Sequence, residues 1–316
     1  MTDFSHEPVL LEEVLTALIT DASEGAWYID GTLGGGGHAA EVLGRTHARL
    51  LGIDRDREAL AAAGERLAAF APRYTLAHGN HRDMPDIARE NGVGPATGIL
   101  LDLGVSSHQL DVPERGFSYQ HDAPLDMRMD GSSGMTAADI VNGYPAEMLA
   151  KILGEYGEER HAGRIARAII AARPVSSTAQ LAAIIDEAMP GRSKRTGGHP
   201  ARRTFQALRI AVNDELDGLS QALDACLSCL VPGGRLCVIT FHSLEDRIVK
   251  QRFRLWENPC ECPRGAPKCV CGKQPLATLP HRHGIVPSEA EVERNPRARS
   301  ARLRIAQATD AVTQQR

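Results

Sequence analysis

The sequence predicts an α/β fold in which a Rossmann-like, doubly wound sheet is interrupted by an all-helical subdomain. In the first third of the chain, short apolar runs that end in a polar residue alternate with helix-forming segments, as in a parallel sheet covered by helices. After Gly104 the pattern changes to turn formers and then to helical periodicity without strand signals. A strand pattern returns after Pro232. We therefore expect a discontinuous sheet domain, residues 1–105 and 204–316, and a helical insertion over residues 106–203.

Four predicted strands precede the insertion, and a polar residue follows or ends each of them. They cover residues 28–30, 50–54, 74–78 and 96–103. Because the carboxyl ends of parallel strands meet at one edge of a sheet, a ligand is expected at that edge. The polar side chains that would line this crevice are Asp30, Asp54, His81 and Asp102.

Helical patterns account for most of the insertion and for the segment that follows it. They are predicted over residues 137–142, 146–154, 158–172, 178–189 and 204–230. Pro232-Gly233-Gly234 would end the last of these helices, and a strand is expected over 235–241. Ser243 would cap a further helix, and residues 303–306 would form a last edge strand.

A glycine-rich segment follows the first predicted strand, which ends at Asp30; it reads Gly31-Thr32-Leu33-Gly34-Gly35-Gly36-Gly37-His38. A chain that turns sharply from strand to helix against a ligand needs residues without Cβ. The segment lacks the G-x-G-x-x-G register, and an acid at Asp30 is unfavourable for a pyrophosphate but suits the positive sulfonium of S-adenosylmethionine. A dinucleotide-dependent oxidoreductase and a linker without a ligand are the alternatives.

Asp54 ends the second predicted strand, about 20 residues further along the chain, where an acid commonly binds the ribose of a nucleotide-like ligand. A carboxylate at this position would accept hydrogen bonds from two vicinal hydroxyls. The alternative role is that of an N-cap for the helix that begins near Arg55.

The charge distribution is compatible with nucleic acid, although the net charge is −4. Basic residues concentrate in two segments without acids: Arg192, Lys194, Arg195, Arg202 and Arg203 in one, and Arg294, Arg297, Arg299, Arg302 and Arg304 in the other. These segments would bind phosphates, or else form an ordinary solvated surface. Because no apolar run approaches the ~20 residues of a membrane span and no signal-peptide core is present, a cytoplasmic location is expected.

The seven cysteines do not suggest a disulfide framework, since their number is odd. Four of them, Cys260, Cys262, Cys269 and Cys271, form a C-x-C…C-x-C pattern that would bind zinc, with reduced surface thiols as the alternative. Pro259-Cys260 has the residue types of the nucleophile in cytosine-C5 methyltransferases. That nucleophile is expected after the fourth strand and not in a late loop.

Several short segments together resemble one family, the bacterial 16S ribosomal RNA cytosine-N4 methyltransferases known as RsmH or MraW. Matching segments occur from the amino-terminal region to the carboxy-terminal region, including the insertion. They are 6–11, 36–38, 53–56, 100–107, 115–118, 124–130, 156–160, 203–210, 241–247 and 295–300. Any one of them is a weak signal, but this many in order is highly specific.

The resemblance implies a class I-like S-adenosylmethionine-dependent methyltransferase that modifies the exocyclic N4 of a cytidine in the decoding region of small-subunit rRNA. The helical insertion would then recognise the RNA. The cofactor contacts that it implies are Gly36, Gly37, His38, Asp54, His81, Asp102 and Gln109. His81 departs from the aromatic residue that is common at its position in the family.

The segment after the fourth predicted strand is where a catalytic residue is expected. Amino-methylating enzymes often carry an Asp/Asn-Pro-Pro-aromatic motif after the fourth strand, but this chain has Asp102-Leu103-Gly104-Val105 there. Asp102 is the candidate, either orienting the cofactor or the cytosine amine, or else serving as a cap or turn residue. A binding module without methyl transfer is the remaining alternative function.

Overall fold

The computed structural model describes residues 7–190, 199–263 and 270–315. The chain divides into two compact units, which we call the sheet unit (Met1–Gly104 and Asp217–Arg316) and the helical unit (Val105–Leu216).

The strands and helices are numbered in chain order within the described ranges. The strands are β1 (Trp27–Asp30), β2 (Arg49–Asp54), β3 (Tyr74–His78), β4 (Ala96–Asp102), β5 (Leu230–Thr240), β6 (Ala277–Thr278) and β7 (Arg302–Ala308). The helices are α1 (Leu11–Leu18), α2 (Gly37–Arg45), α3 (Arg57–Leu67), α4 (Met84–Glu90), α5 (Ser107–Asp111), α6 (Ala137–Gly143), α7 (Ala146–Glu155), α8 (Ala162–Ala171), α9 (Thr178–Ala188), α10 (Ala201–Asn213), α11 (Leu219–Ser228), α12 (Ser243–Glu257) and α13 (Glu289–Arg294).

The strands form one sheet in the order β3-β2-β1-β4-β5-β7-β6. β1 to β5 are parallel to one another, whereas β7 is antiparallel to both β5 and β6. The strand order reverses between β1 and β4, which is the position where open α/β sheets bind ligands. This topology confirms the predicted class I-like, Rossmann-like fold. It differs from the prediction at one edge, because the two-residue β6 lies outside β7.

The sheet unit has a separate apolar core on each face of its sheet. Successive side chains of a strand point to opposite faces. Ile99 and Leu101 of β4 accordingly belong to one core together with Val238 of β5, whereas Leu100 and Cys237 belong to the other. The acidic strand ends are therefore held by strands that are buried on both sides, as expected for a parallel sheet.

The helical unit has its own core, to which α7, α8, α9 and α10 contribute. Phe205 and Leu208 of α10 are buried there together with Leu153 and Ile165. For this reason the unit ends at Leu216 in the structure, and not at the predicted residue 203. The described residues of this unit contain no strand, as the helical periodicity predicted.

The predicted helix over residues 204–230 is two helices, α10 and α11. Asp214 has a φ of 52° and Gly218 a φ of 77°, and these left-handed residues end the first helix and begin the second. Because the apolar periodicity continues across the break, the sequence pattern predicts one uninterrupted helix. The predicted turn at Pro232-Gly233-Gly234 is an irregularity within β5, where the register with β4 shifts between Ala96 and Gly98.

Across the described ranges, every helix is too short or too polar to cross a bilayer.

Candidate active site at the carboxyl ends of the strands

Three acidic side chains lie at the carboxyl ends of neighbouring parallel strands. Asp30, Asp54 and Asp102 are the last residues of β1, β2 and β4. Asp30 is in register with Gly52 of β2 and with Leu100 of β4, so the three strands end within two residues of one another. The sheet therefore brings these three predicted acidic residues together at one edge.

Burial makes these carboxyl groups unusually weak acids. It raises the pKa of Asp30 to about 7, an effect that the negative charge of Asp54 increases. Burial also raises the pKa of Asp102 to about 8, with further contributions from Asp30 and Glu245. The pKa of Asp54 is raised by burial too, against hydrogen bonds from the main chain. A cation that binds near these three carboxyl groups would lower their pKa values and so favour their charged forms.

The glycine-rich loop after Asp30 is fixed by hydrogen bonds to the neighbouring strands. The Gly31 amide donates to the Leu100 carbonyl at 2.9 Å, and the Leu33 amide donates to the Ile53 carbonyl at 3.0 Å. Thr32 adds a side-chain link, because its Oγ1 accepts a hydrogen bond from the Asp102 amide at 2.5 Å. This contact holds the end of β4 against the loop, and sequence reasoning did not identify Thr32.

Gly36 allows the loop to enter α2. Its φ is 74°, and a Cβ at this position would lie 3.2 Å from the Cβ of Ala63 in α3. Both the backbone conformation and the close approach of α3 therefore favour glycine here.

Gly37 and His38 are the first residues of α2, and the side chain of His38 points to the amino-terminal segment. Its Nε2 lies 3.0 Å from the Val9 carbonyl, and burial lowers the pKa of His38 to about 4, so the ring is neutral. A Cβ at Gly37 would come within 2.7 Å of Pro8. The predicted cofactor contacts of these two residues would therefore come from their main chain.

Asp54 is bound to the glycine-rich loop. Its Oδ2 accepts a hydrogen bond from the Gly34 amide at 2.7 Å, and its Oδ1 accepts one from the Asp56 amide at 2.8 Å. The N-cap of α3 is Asp56, whose side chain accepts from the Glu58 amide at 3.0 Å. The capping alternative for Asp54 is therefore wrong. Each carboxylate oxygen has a second lone pair, so Asp54 keeps the capacity to accept ribose hydroxyls.

His81 begins a short 3₁₀ turn after β3, next to the glycine-rich loop. A Cβ at Gly31 would lie 3.2 Å from the Cβ of His81, which shows how close the two segments are. Burial lowers the pKa of His81 to about 4, and the positive charges of Arg55 and Arg82 contribute. A neutral, partly buried imidazole is compatible with a position beside an adenine, which stays a prediction.

Gln109 belongs to the helical unit. It is 4% exposed, and its Oε1 accepts a hydrogen bond from the Ser106 amide at 3.0 Å in a capping box at the start of α5. Its predicted contact with the cofactor stays a prediction.

Glu245 is a fourth acid of this region that sequence reasoning assigned only to a helix end. It is 1% exposed, and its Oε2 accepts a hydrogen bond from the Phe241 amide at 3.0 Å. Its Oε1 lies 3.0 Å from Nε2 of His242, the residue that caps α12. The signal available in the sequence was a polar segment directly after a strand, as for the other three acids.

The structure describes only part of the first predicted basic segment but all of the second. Arg192, Lys194 and Arg195 lie outside the described residues. In the second segment, Arg304 is 6% exposed and pairs with Asp246 through both carboxylate oxygens, at 2.6 and 2.9 Å. Arg294 pairs with Glu7, whereas Arg299 is exposed. The segment therefore includes structural ion pairs as well as surface charge.

Comparison with known proteins identifies the family. A family model described as the MraW methylase family matches residues 3–309. The chain belongs to this family. A protein named Ribosomal RNA small subunit methyltransferase H from Symbiobacterium thermophilum is 56% identical over 306 residues, which cover 95% of this chain and 96% of that protein. The protein of the same name from Syntrophotalea carbinolica is 54% identical over 306 residues, which cover 95% of this chain and 97% of that protein.

As a methylase of the MraW family with a class I-like fold, the protein uses S-adenosylmethionine. The residues at the strand ends fit this cofactor. Oδ1 of Asp102 is buried and has no hydrogen-bond partner among the described residues, so a polar group of a ligand would satisfy it. The acids Asp30 and Asp102 would complement the positive charge of the cofactor, Asp54 would hold its ribose, and the loop would contribute main-chain amides.

Proposed function

We propose that this member of the MraW family transfers a methyl group from S-adenosylmethionine to the exocyclic N4 of a cytidine in the decoding region of 16S rRNA, in the cytoplasm. The names of relatives that match nearly the whole chain support small-subunit rRNA as the substrate. The observation that carries the choice of a nitrogen target is the buried carboxyl group of Asp102, with its unpartnered Oδ1 at the end of β4.

A carboxylate at this place provides what methylation of an exocyclic amine needs. When bound, S-adenosylmethionine supplies an electrophilic methyl group on a positively charged sulfur. The lone pair of cytosine N4 is delocalised into the ring, so positioning of the amine and an acceptor for its N–H contribute most to the rate. Methyl transfer to N4 would release one N4 proton. The Asp102 carboxylate would accept the N–H hydrogen bond and then that proton.

The described cysteines argue against carbon 5 of cytosine as the target. That reaction needs a thiolate that attacks the ring. Cys237 lies inside β5, where burial raises its pKa to about 12, and Cys226 lies inside α11, where burial also raises its pKa. Among the described residues, no cysteine ends a strand beside Asp102. A nitrogen nucleophile requires no such group.

The helical unit would recognise the RNA. Arg202 and Arg203 lie exposed in the first turn of α10, where they would contact phosphates. The target base would leave its stack to reach the methyl group.

The decisive experiment maps the methylated base. Small ribosomal subunits and naked 16S rRNA from cells that lack the enzyme are incubated with the protein and methyl-labelled S-adenosylmethionine, and the modified nucleotide is located by mass spectrometry. We expect the label on N4 of a decoding-region cytidine. Label on carbon 5, label elsewhere, or no transfer to either substrate would contradict the proposal. Cofactor binding without any transfer would favour a binding module.

A further inference from the structure

Three cysteines come together in the loop between α12 and β6. The Sγ atoms of Cys260, Cys262 and Cys271 all lie within 4.8 Å of one another. Sγ of Cys260 and Sγ of Cys271 are 3.9 Å apart. In a tetrahedral zinc site with Zn–S bonds of about 2.3 Å, neighbouring sulfur atoms are about 3.8 Å apart. The distance between Sγ of Cys260 and Sγ of Cys271 is therefore that of a zinc-thiolate shell, and Sγ of Cys262 lies close enough to join it.

The two arms of this loop are arranged around the sulfurs. The Val270 amide donates a hydrogen bond to Sγ of Cys262 at 3.3 Å, the type of contact that stabilises a thiolate ligand. Lys273 on one arm forms an ion pair with Glu261 on the other. An exposed ion pair of this kind contributes at most about 1 kcal/mol, which is too little to hold the arms by itself.

The described part of the loop lacks an apolar core that would stabilise it. Val270 is 84% exposed, and apolar burial resumes only near the start of β6, where Ala277 is fully buried. The Leu276 amide donates to the Trp256 carbonyl at 2.8 Å, which closes the base of the loop at the end of α12. Short segments without a core commonly depend on a metal ion or a disulfide for their structure.

We propose that Cys260, Cys262 and Cys271 bind a structural zinc ion that joins the two arms of this loop. Zinc favours thiolates in tetrahedral geometry, and its structural sites are filled by protein ligands. Cys269, which the sequence pattern adds as a fourth ligand, lies outside the described residues, so the proposal rests on the other three. A disulfide between Cys260 and Cys271 would use two of the three thiols and leave the position of Cys262 unexplained. The proposed ligands include none of the residues assigned to methyl transfer, and the proposal does not depend on the RNA target.

The test uses the full-length protein, purified under reducing conditions without added metal chelators. Metal content is measured by inductively coupled plasma mass spectrometry, and the zinc is exchanged for Co²⁺, whose absorption reports tetrahedral thiolate coordination. We expect about one zinc per chain and a strong thiolate-to-Co²⁺ absorption band. The variants Cys260→Ser and Cys271→Ser should lose both signals, whereas Cys229→Ser, at the end of α11, should keep them.

A second measurement keeps the proposal testable if a variant folds poorly. Hydrogen exchange of the wild-type protein is followed before and after removal of the metal by a chelator, and we expect faster exchange in residues 258–263 and 270–276. Wild-type protein without zinc and without the Co²⁺ band would overturn the proposal. So would a Cys260–Cys271 disulfide in the freshly purified reduced protein, or retention of the metal by both loop variants.

Discussion

Asp102 combines three properties that no other described acid of the sheet unit has together. It ends the strand at the switch point of the sheet, its pKa is raised to about 8, and one of its oxygens is buried without a partner. Its main-chain amide is held by Thr32, so the side chain is presented from a fixed backbone. Such a carboxyl group is suited to bind a ligand or to accept a hydrogen bond from an N–H group. While its buried oxygen has no partner, it lowers the stability of the folded protein.

Replacement of Asp102 by Asn tests this role. Asn keeps the shape of the side chain but takes up no proton, so we expect kcat to fall by about 10² to 10⁴, the usual contribution of a positioned acid or base. The measurement is single-turnover methyl transfer to small subunits. Asp86→Asn on the exposed surface of α4, where Asp86 only pairs with Arg89, is the matched control and should keep full activity. Full activity of Asp102→Asn would show that Asp102 is dispensable.

Cofactor binding should depend on pH. The pKa of Asp30 is about 7 and that of Asp102 about 8, so in the absence of ligand both are largely protonated at pH 6 and largely charged at pH 9. A bound sulfonium favours the charged forms, so binding releases protons and the affinity for S-adenosylmethionine rises with pH over this range. S-adenosylhomocysteine carries the same amino group but no sulfonium. The ratio of the two dissociation constants, measured by calorimetry, should therefore change in favour of S-adenosylmethionine as pH rises, and a constant ratio would contradict the prediction.

The same groups give the ligand-free protein a defined dependence of stability on pH. A carboxyl whose folded pKa lies above its unfolded value binds its proton more tightly in the folded state. Its contribution to the free energy of unfolding is therefore most favourable at low pH, decreases as pH rises from about 4 to about 8, and is constant above. Binding of a cation beside these carboxylates would offset this cost at neutral pH.

At the scale of elements, the positive φ of Gly36 allows the glycine-rich loop to enter α2. Gly36→Ala would place a side chain in a left-handed conformation, at a cost of about 1–2 kcal/mol, and 3.2 Å from Ala63. We expect a lower thermal midpoint together with weaker cofactor binding. Gly92→Ala is the control, because Gly92 has a φ of 67° but open space around it. It should lower the thermal midpoint and leave the dissociation constant of S-adenosylmethionine unchanged. Equal loss of cofactor affinity in both variants would show a general effect of strain.

The strands and their acidic ends could be predicted from the sequence, because buried parallel strands are short apolar runs and the polar residues that follow them must lie at one edge. The break between α10 and α11 could not, because a left-handed residue at Asp214 leaves no trace in the apolar periodicity. The direction of the His38 side chain depends on Val9, which is distant in sequence. The pairing of Arg304 with Asp246 likewise depends on β7 lying beside β5, which no local pattern specifies.

At the scale of the whole molecule, a net charge of −4 requires that RNA phosphates meet local basic surface. Arg299→Ala, at an exposed residue, should weaken binding of small-subunit RNA and reduce the slope of log K against log salt by about 1. Arg304→Ala should instead lower thermal stability, because it leaves the carboxylate of Asp246 without its bidentate partner. Filter binding at several salt concentrations and thermal unfolding measure the two effects. An unchanged salt slope for Arg299→Ala would remove this residue from the RNA interface.

The two-sided core of the sheet unit has a consequence for the order in which the chain acquires its structure on the ribosome. One face joins Ile99 and Leu101 of β4 to Val238 of β5, and the entire helical unit is synthesised between them. The core of the helical unit comes from one continuous stretch and can close as soon as α10 emerges. We therefore expect the helical unit to form while β4 still exposes an unpaired edge and an open apolar face. A chain that stalls before β5 is therefore expected to be prone to aggregation, because an exposed strand edge and open apolar surface favour association.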